Sequence, residues 1–137
     1  MPASDADLEL VREAFQAFDV TGDGLAAYYE RYFTHDAVVE FCDGFPLTGR
    51  YEGLDGYRRF YEESYGPYED VRRRLDSVQV EAGTVVALLT LSGHERGDET
   101  ELEVQMGNTY EIEDGRIRYL RIYVGHDRAL EAAREQG

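Results

Sequence analysis

The alternation of apolar and polar residues at positions 101–124 constrains the fold of this chain more than any other feature. From Leu102 to Ile112 every second residue is apolar except Asn108, and the residues between them are polar or glycine. A period of two is typical of a strand that buries one face in an antiparallel sheet. A second alternating run follows the turn residues at 113–115, so this segment predicts a hairpin.

The length of the hairpin loop decides which face carries Asn108. A three-residue loop with Gly115 at a positive φ places Asn108 on the same face as Leu120 and Ile122. A two-residue loop would place them on opposite faces. We predict the three-residue loop, and therefore a concave, mostly apolar wall that contains one amide.

A buried amide without a partner costs about 1–3 kcal/mol, so Asn108 needs a hydrogen bond. The sequence offers two solutions, a bound ligand or a neighbouring tyrosine hydroxyl such as that of Tyr61 or Tyr110. We favour the ligand.

The rest of the chain predicts helices first and strands afterwards. Helical spacing predicts helices at residues 5–18, 25–33, 54–65 and 127–134, the first opened by a capping box of Ser4 and Asp7. Strands are predicted at residues 37–42, 71–81 and 84–94, with an irregular loop at 43–49. This order, without linker or repeat, indicates one α+β domain over residues 1–137.

Charge and cysteine content narrow the classes of partner. The 14 basic residues are all arginines, and the formal net charge is −15, which argues against nucleic acid and anionic membranes as partners. The single cysteine, Cys42, excludes an internal disulfide, and the acidic N-terminus does not resemble a signal peptide. We therefore expect a cytoplasmic protein.

Residues 19–30 have the spacing of an EF-hand calcium loop. Position eight of the motif is Ala26, where a branched apolar residue normally pairs two such loops, and the sequence has no second loop. An Asp/Gly-rich turn between helices is common without metal. We favour a solvated turn and expect no metal ligands.

The order of elements and several motifs resemble the nuclear transport factor 2-like superfamily, and within it the SnoaL-like polyketide cyclases and ketosteroid isomerase. The characteristic segments are residues 22–23, 32–40, 53–61, 113–117 and 121–123, and the resemblance extends over about residues 8–133. It implies a cystatin-like cone, a strongly bent antiparallel sheet packed on three N-terminal helices, with a short C-terminal helix. The concave face would enclose a pocket, and the convex face would form a dimer.

The resemblance also assigns positions to the acid–base groups of ketosteroid isomerase. Its helix-one tyrosine falls at Phe15, its base at Phe41 and its oxyanion-binding aspartic acid at Asn108, which can still donate through its amide. One supporting tyrosine is retained as Tyr61. The acid of limonene epoxide hydrolase, another relative, falls at Ile122, which disfavours that chemistry.

Asp43 is the remaining candidate base, because it lies two residues after Phe41 and shares its face if the strand continues. An ordinary Asp43-Gly44 turn is the open alternative. We predict catalytic roles for Asp43, Asn108 and Tyr61, without cofactor or metal. The predicted binding wall, suited to a flat apolar ligand, consists of Phe15, Tyr32, Phe41, Tyr57, Met106, Tyr110, Leu120, Ile122 and Val124.

Three functions remain open at this point. The chain could be a cyclase, isomerase or dehydratase that transfers protons without a cofactor, a non-catalytic binder of an apolar small molecule, or a dimerisation module. Tyr119, Arg121 and Tyr123 alternate with the pocket face, and Tyr and Arg are enriched at interfaces. We predict a homodimer through that convex face, with arginines paired across the twofold axis to an acidic stripe of Glu101, Glu103, Glu111 and Glu113.

Overall fold

The computed structural model describes residues 3–42 and 49–136. Its helices are α1 (Asp5–Ala17), α2 (Leu25–Tyr32), α3 (Gly53–Tyr65) and α4 (His126–Gln136). Its strands are β1 (Phe33–Phe41), β2 (Gly49–Glu52), β3 (Tyr68–Glu81), β4 (Thr84–Glu95), β5 (Leu102–Glu113) and β6 (Arg116–Val124). None of the helices in these two ranges is long and apolar enough to cross a bilayer.

The described strands form one six-stranded sheet in the order β2-β1-β6-β5-β4-β3. Strands β3 to β6 form the predicted antiparallel meander. The α+β architecture, with its N-terminal helices and C-terminal helix, is confirmed. The sheet is mixed rather than wholly antiparallel, because β1 runs parallel to β6. Strand β2, helix α3 and strands β3 to β5 intervene between these two strands, so the chain has the length that a parallel connection needs.

The local signals at the N-terminal helices predict their ends well. The Ser4 hydroxyl accepts a hydrogen bond from the Asp7 amide (3.3 Å), and the Asp7 carboxylate accepts one from the Ser4 amide (3.2 Å), which is the predicted capping box. Helix α2 ends at Tyr32, and β1 begins directly at Phe33 rather than at Ala37. Strand β2 was not predicted, because it is a four-residue strand at the edge of the sheet.

The loop between β5 and β6 contains two residues, so the prediction of a three-residue loop is wrong. Glu113 pairs with Arg116, and the residues between them, Asp114 and Gly115, have φ angles of 51° and 76°. Positive φ at both central positions is the signature of the type I′ turn, which Asp-Gly favours.

Asn108 nevertheless pairs with Ile122, as expected. A β-bulge makes this possible. Ile112 pairs with Ile117, whereas Glu111 pairs with Tyr119, so Arg118 is an extra residue in β6. One extra residue exchanges the faces of a strand and therefore compensates for the shorter loop.

The two faces of the sheet carry different layers. The three N-terminal helices and the main aromatic core, which includes Phe33, Tyr57 and Phe60, lie on the face that carries Asn108. Helix α4 packs on the opposite face, where Ala129 contacts the sheet beside Gly107.

Candidate functional site

A cavity of about 520 Å³ lies between the N-terminal helices and the Asn108 face of the sheet. This volume is within the range of small-molecule pockets, about 300–1,000 Å³. Its walls come from α1, α2, α3 and all strands except β2 among the described elements. Most of the lining side chains are aromatic or aliphatic.

The structure places most of the predicted binding wall around this cavity. The predicted residues that line it are Phe15, Phe41, Tyr57, Met106, Asn108, Tyr110, Leu120 and Ile122. Tyr32 and Val124 do not line it, and both belong to the surrounding core. Tyr28, one helical turn before Tyr32 with its ring centroid 5.0 Å away, lines the cavity instead.

Asn108 is buried, and its side chain is held by the next residue on the same face of β5. The Asn108 Nδ2 atom donates to the Tyr110 hydroxyl oxygen at 3.2 Å. This is the tyrosine partner that the sequence left open. The Tyr110 hydroxyl has no acceptor for its own proton among residues 3–42 and 49–136. The pair therefore presents an unused O–H donor at the cavity wall.

Burial raises the pKa of Tyr110, and the Asn108 hydrogen bond and the Arg73 charge oppose this only in part. Burial likewise raises the pKa of Tyr57 well above its ordinary value, and it raises that of Tyr28. These phenols are therefore protonated at neutral pH. The wall offers neutral aromatic surfaces and hydroxyl donors rather than phenolates.

Tyr61 lies away from the cavity lining. Its hydroxyl donates to the Val20 carbonyl oxygen at 2.6 Å. Its ring lies against Gly22, where an added Cβ would come within 2.8 Å of the ring. The side chain therefore secures the turn between α1 and α2. The predicted base, Asp43, lies outside the described residues.

The turn with the calcium-loop spacing satisfies its own carboxylate. Asp19 accepts hydrogen bonds from the Thr21 amide (2.8 Å) and hydroxyl (2.6 Å), which hold the pKa of Asp19 below its ordinary value. This is an Asx-type turn. Across residues 3–42 and 49–136, no group of three or more His, Cys, Asp or Glu side chains is arranged to hold a metal ion.

Sequence reasoning missed a basic residue in the lining of the cavity, Arg73. Its guanidinium carbon lies 4.3 Å from the ring centroids of both Phe15 and Phe18. Its Nε atom is buried and has no hydrogen-bond partner. The same is true of the hydroxyl of Ser64, which also lines the cavity. The signal was present, since Val71, Arg73 and Leu75 alternate and so share an otherwise apolar face.

The convex face carries the residues that were predicted to form a dimer. Tyr119 donates to Glu40 (2.8 Å), and Arg121 donates to Glu111 (2.6 Å) while lying 3.8 Å over the Tyr119 ring. Tyr123 is buried beneath α4 and accepts a hydrogen bond from Gln136. These contacts form within one chain. A dimer through this face stays a prediction, in which Tyr119 and Arg121 are the accessible members.

Comparisons with known proteins agree with this geometry. A profile of the SnoaL-like domain family matches residues 11–120. A candidate SnoaL-like polyketide cyclase from a Jannaschia species has a TM-score of 0.72 at 17% identity, with 98% of this chain and 97% of that chain covered. A nuclear transport factor 2-like protein from Burkholderia thailandensis has a TM-score of 0.71 at 20% identity, with 95% and 97% covered.

A protein from Catenulispora acidiphila with a ketosteroid isomerase-like fold, in complex with trimethylamine, has a TM-score of 0.69 at 17% identity, with 91% and 92% covered. Likeness at these identities shows the fold alone. No curated protein matches the sequence significantly. The family profile spans most of the chain and the structural matches span nearly all of it, so the expected resemblance is confirmed: the chain belongs to the SnoaL-like domain family and has the nuclear transport factor 2-like fold.

Proposed function

We propose that this protein is a small-molecule enzyme of the cyclase, isomerase or dehydratase type, which transfers a proton on an apolar cyclic carbonyl compound without a cofactor. The observation that carries the proposal is the Asn108–Tyr110 pair in a large, mostly apolar cavity. The distant structural relatives that are candidate polyketide cyclases support the same class of reaction.

The pair suits the stabilisation of a developing enolate. Asn108 donates to the Tyr110 oxygen, which polarises the phenol and leaves its proton for a ligand oxygen. Hydrogen-bond donors that are fixed in a poorly solvated site stabilise an oxyanion more than water does, because they need little reorganisation. Protonated Tyr110 would therefore donate to the substrate carbonyl while the adjacent carbon loses its proton.

Asp43 is the proposed base. Phe41, which precedes it by two residues, lines the cavity at the end of β1. A carboxylate close to this wall would accept the carbon-bound proton and return it to a second position.

A second candidate function is a non-catalytic binder of the same ligand class. Phe15 and Phe41 line the cavity at the positions where ketosteroid isomerase has a tyrosine and its base. The cavity walls are thus present without these two acid–base groups.

Exchange of carbon-bound protons separates the two functions without knowledge of the natural substrate. The probe is 2-tetralone, a bicyclic ketone, incubated with the protein in D2O and followed by NMR, while binding is measured by calorimetry. We expect exchange faster than in buffer, a roughly 10²-fold loss of this acceleration in Tyr110→Phe, and its complete loss in Asp43→Asn. Asp36→Asn, a change at an exposed acid of β1, is the matched control.

Binding of the probe without accelerated exchange would favour the binder. Acceleration that survives Asp43→Asn would remove Asp43 from the mechanism. Absence of both binding and exchange would contradict the proposal for bicyclic ketones.

A further inference from the structure

We propose that the ligand of this cavity carries a carboxylate or similar anionic group, and that Arg73 binds it. The inference rests on the proposed function in one respect, namely that the cavity holds an apolar small molecule. It adds the charge of that molecule and the residue that selects it.

Arg73 packs against two aromatic rings and makes no ion pair within residues 3–42 and 49–136. The guanidinium carbon lies 4.3 Å from the ring centroids of Phe15 and Phe18, a distance typical of cation–π contact. Such contacts need no oxygen acceptor, so they leave the five N–H donors of the guanidinium available for an anion. The rings therefore position Arg73 without using its donors, and Nε is buried with no acceptor.

The surroundings do not neutralise this charge. In a chain with 29 acidic residues, at least nine other arginines form ion pairs with carboxylates. The neighbours of Arg73 on β3 are among them, since Arg72 pairs with Glu101 and Arg74 with Asp76. Within residues 3–42 and 49–136, no carboxylate pairs with Arg73. A partly buried cation with unused donors is stabilised by a counterion, and the cavity leaves that position to a ligand.

A second unsatisfied group lies in the same cavity. The Ser64 hydroxyl, which projects from α3, is buried and has no hydrogen-bond partner. A hydroxyl can donate to an anionic oxygen as well as to a neutral one. Two unpaired polar groups in one mostly apolar cavity indicate a ligand with a polar end, and the guanidinium sets the sign of its charge.

Two acidic residues in the lining of the cavity restrict the class of anion that can bind there. Glu63 and Glu103 also line the cavity; the Glu63 carboxylate accepts a hydrogen bond from Tyr51, and Glu103 is exposed. Together with the net charge of −15, they oppose the entry of small, fully hydrated anions. An anion therefore needs a flat apolar body, so that its contact with the aromatic walls supplies enough binding free energy to overcome this repulsion. The ligand class is therefore an aromatic or polycyclic carboxylate, and acetate should not bind.

The test compares 2-naphthoate with its uncharged analogue 2-naphthamide at pH 7 by calorimetry. The wild-type protein should bind naphthoate at least tenfold more tightly than naphthamide. Arg73→Gln should abolish this preference, because it removes the cation that distinguishes the carboxylate from the neutral amide. Arg74→Gln removes the same charge from a β3 residue that does not line the cavity, and it should keep the preference.

The outcomes separate this inference from the function on which it rests. If the wild-type protein binds neither compound, the proposed small-molecule function fails. If it binds both equally, or if the preference survives Arg73→Gln, the cavity function stands and the role of Arg73 is overturned. Circular dichroism establishes that the variant is folded. If Arg73→Gln does not fold, Arg73→Lys decides the question, because an ammonium cannot form the two-pronged contact and should reduce the preference several-fold; an unchanged preference overturns the inference.

Discussion

The two faces of the sheet are packed in opposite ways. On the α4 face, small residues close the interface, and a Cβ added to Gly107 would lie 2.2 Å from the Ala129 Cβ. On the other face, the largest side chains of the chain pack against one another and still leave about 520 Å³ between them. The large aromatic rings of the N-terminal helices do not close the space as Gly107 of β5 and the alanines of α4 do on the other face. The difference shows that the open space follows from helix placement and not from a lack of apolar residues.

The largest expected effect comes from adding volume to the filled face. Gly107→Val should lower the free energy of unfolding by about 3 kcal/mol, because the new side chain has no space beneath Ala129. Leu91→Phe adds volume on the cavity face and should change stability by less than about 1 kcal/mol. Urea denaturation measures both. Equal costs at the two positions would show that the faces do not differ in packing.

A smaller effect should distinguish two tyrosines of the helical face. Tyr61→Phe removes the hydrogen bond to the Val20 carbonyl and should cost about 1 kcal/mol of stability, with 2-tetralone exchange unchanged. Tyr110→Phe should slow exchange, since its hydroxyl faces the cavity. Thermal melts and the exchange assay give both readouts. Slowed exchange in Tyr61→Phe would instead support the catalytic role that the sequence predicts for Tyr61.

The smallest effect is expected at the His94–Asp70 pair, where β4 meets the edge strand β3. The hydrogen bond to the Asp70 carboxylate (2.8 Å), followed by that to the Glu95 carbonyl, raises the pKa of His94 above its ordinary value of 6.5. Protonated His94 is thus favoured in the folded state. Its contribution to stability is complete below about pH 6.5 and is lost as the pH rises through the raised pKa.

Melting temperatures of the wild type and His94→Gln at pH 5.5 and 8.5 test this dependence. The variant should lose more stability at pH 5.5. Asp70→Asn keeps a residue that tolerates the positive φ of 54° at this position and should remove the same pH dependence. A larger loss at pH 8.5 would contradict the assignment.

Much of the fold could be predicted from local pattern, and the exceptions have physical causes. The capping box at Ser4 and the break at Gly66 are set by neighbouring residues, so the helix boundaries follow from sequence. Strand β2 escaped prediction because a short edge strand carries little periodicity. The parallel pairing of β1 with β6 joins distant segments and has no local signal.

The residues of the candidate site also divide into those that local pattern predicts and those that depend on contacts between distant segments. The period of two placed Asn108, Leu120 and Ile122 on one face, although the reason was a bulge and not a longer loop. The alternation along β3 places Arg73 on an apolar face, but its contact with Phe15 of α1 forms only in the folded chain and has no local signal. Tyr61 was assigned to the site by resemblance, whereas its hydroxyl meets a carbonyl of the turn between α1 and α2.

The bulge at Arg118 also separates two lining residues of the cavity, Leu120 and Ile122, from the register of the turn. Beyond it, Tyr110 pairs with Leu120 and Asn108 with Ile122; before it, Ile112 pairs with Ile117. Deletion of Arg118 would make Ile117 and Tyr119 adjacent in the chain without altering any of these pairs. The end of the hairpin therefore tolerates a change of one residue in length. A one-residue change at the hairpin tip can be absorbed at the bulge, and the alternation of faces along the rest of β6 is kept. Deletion of Arg118 is therefore expected to keep Leu120 and Ile122 on the cavity face of β6.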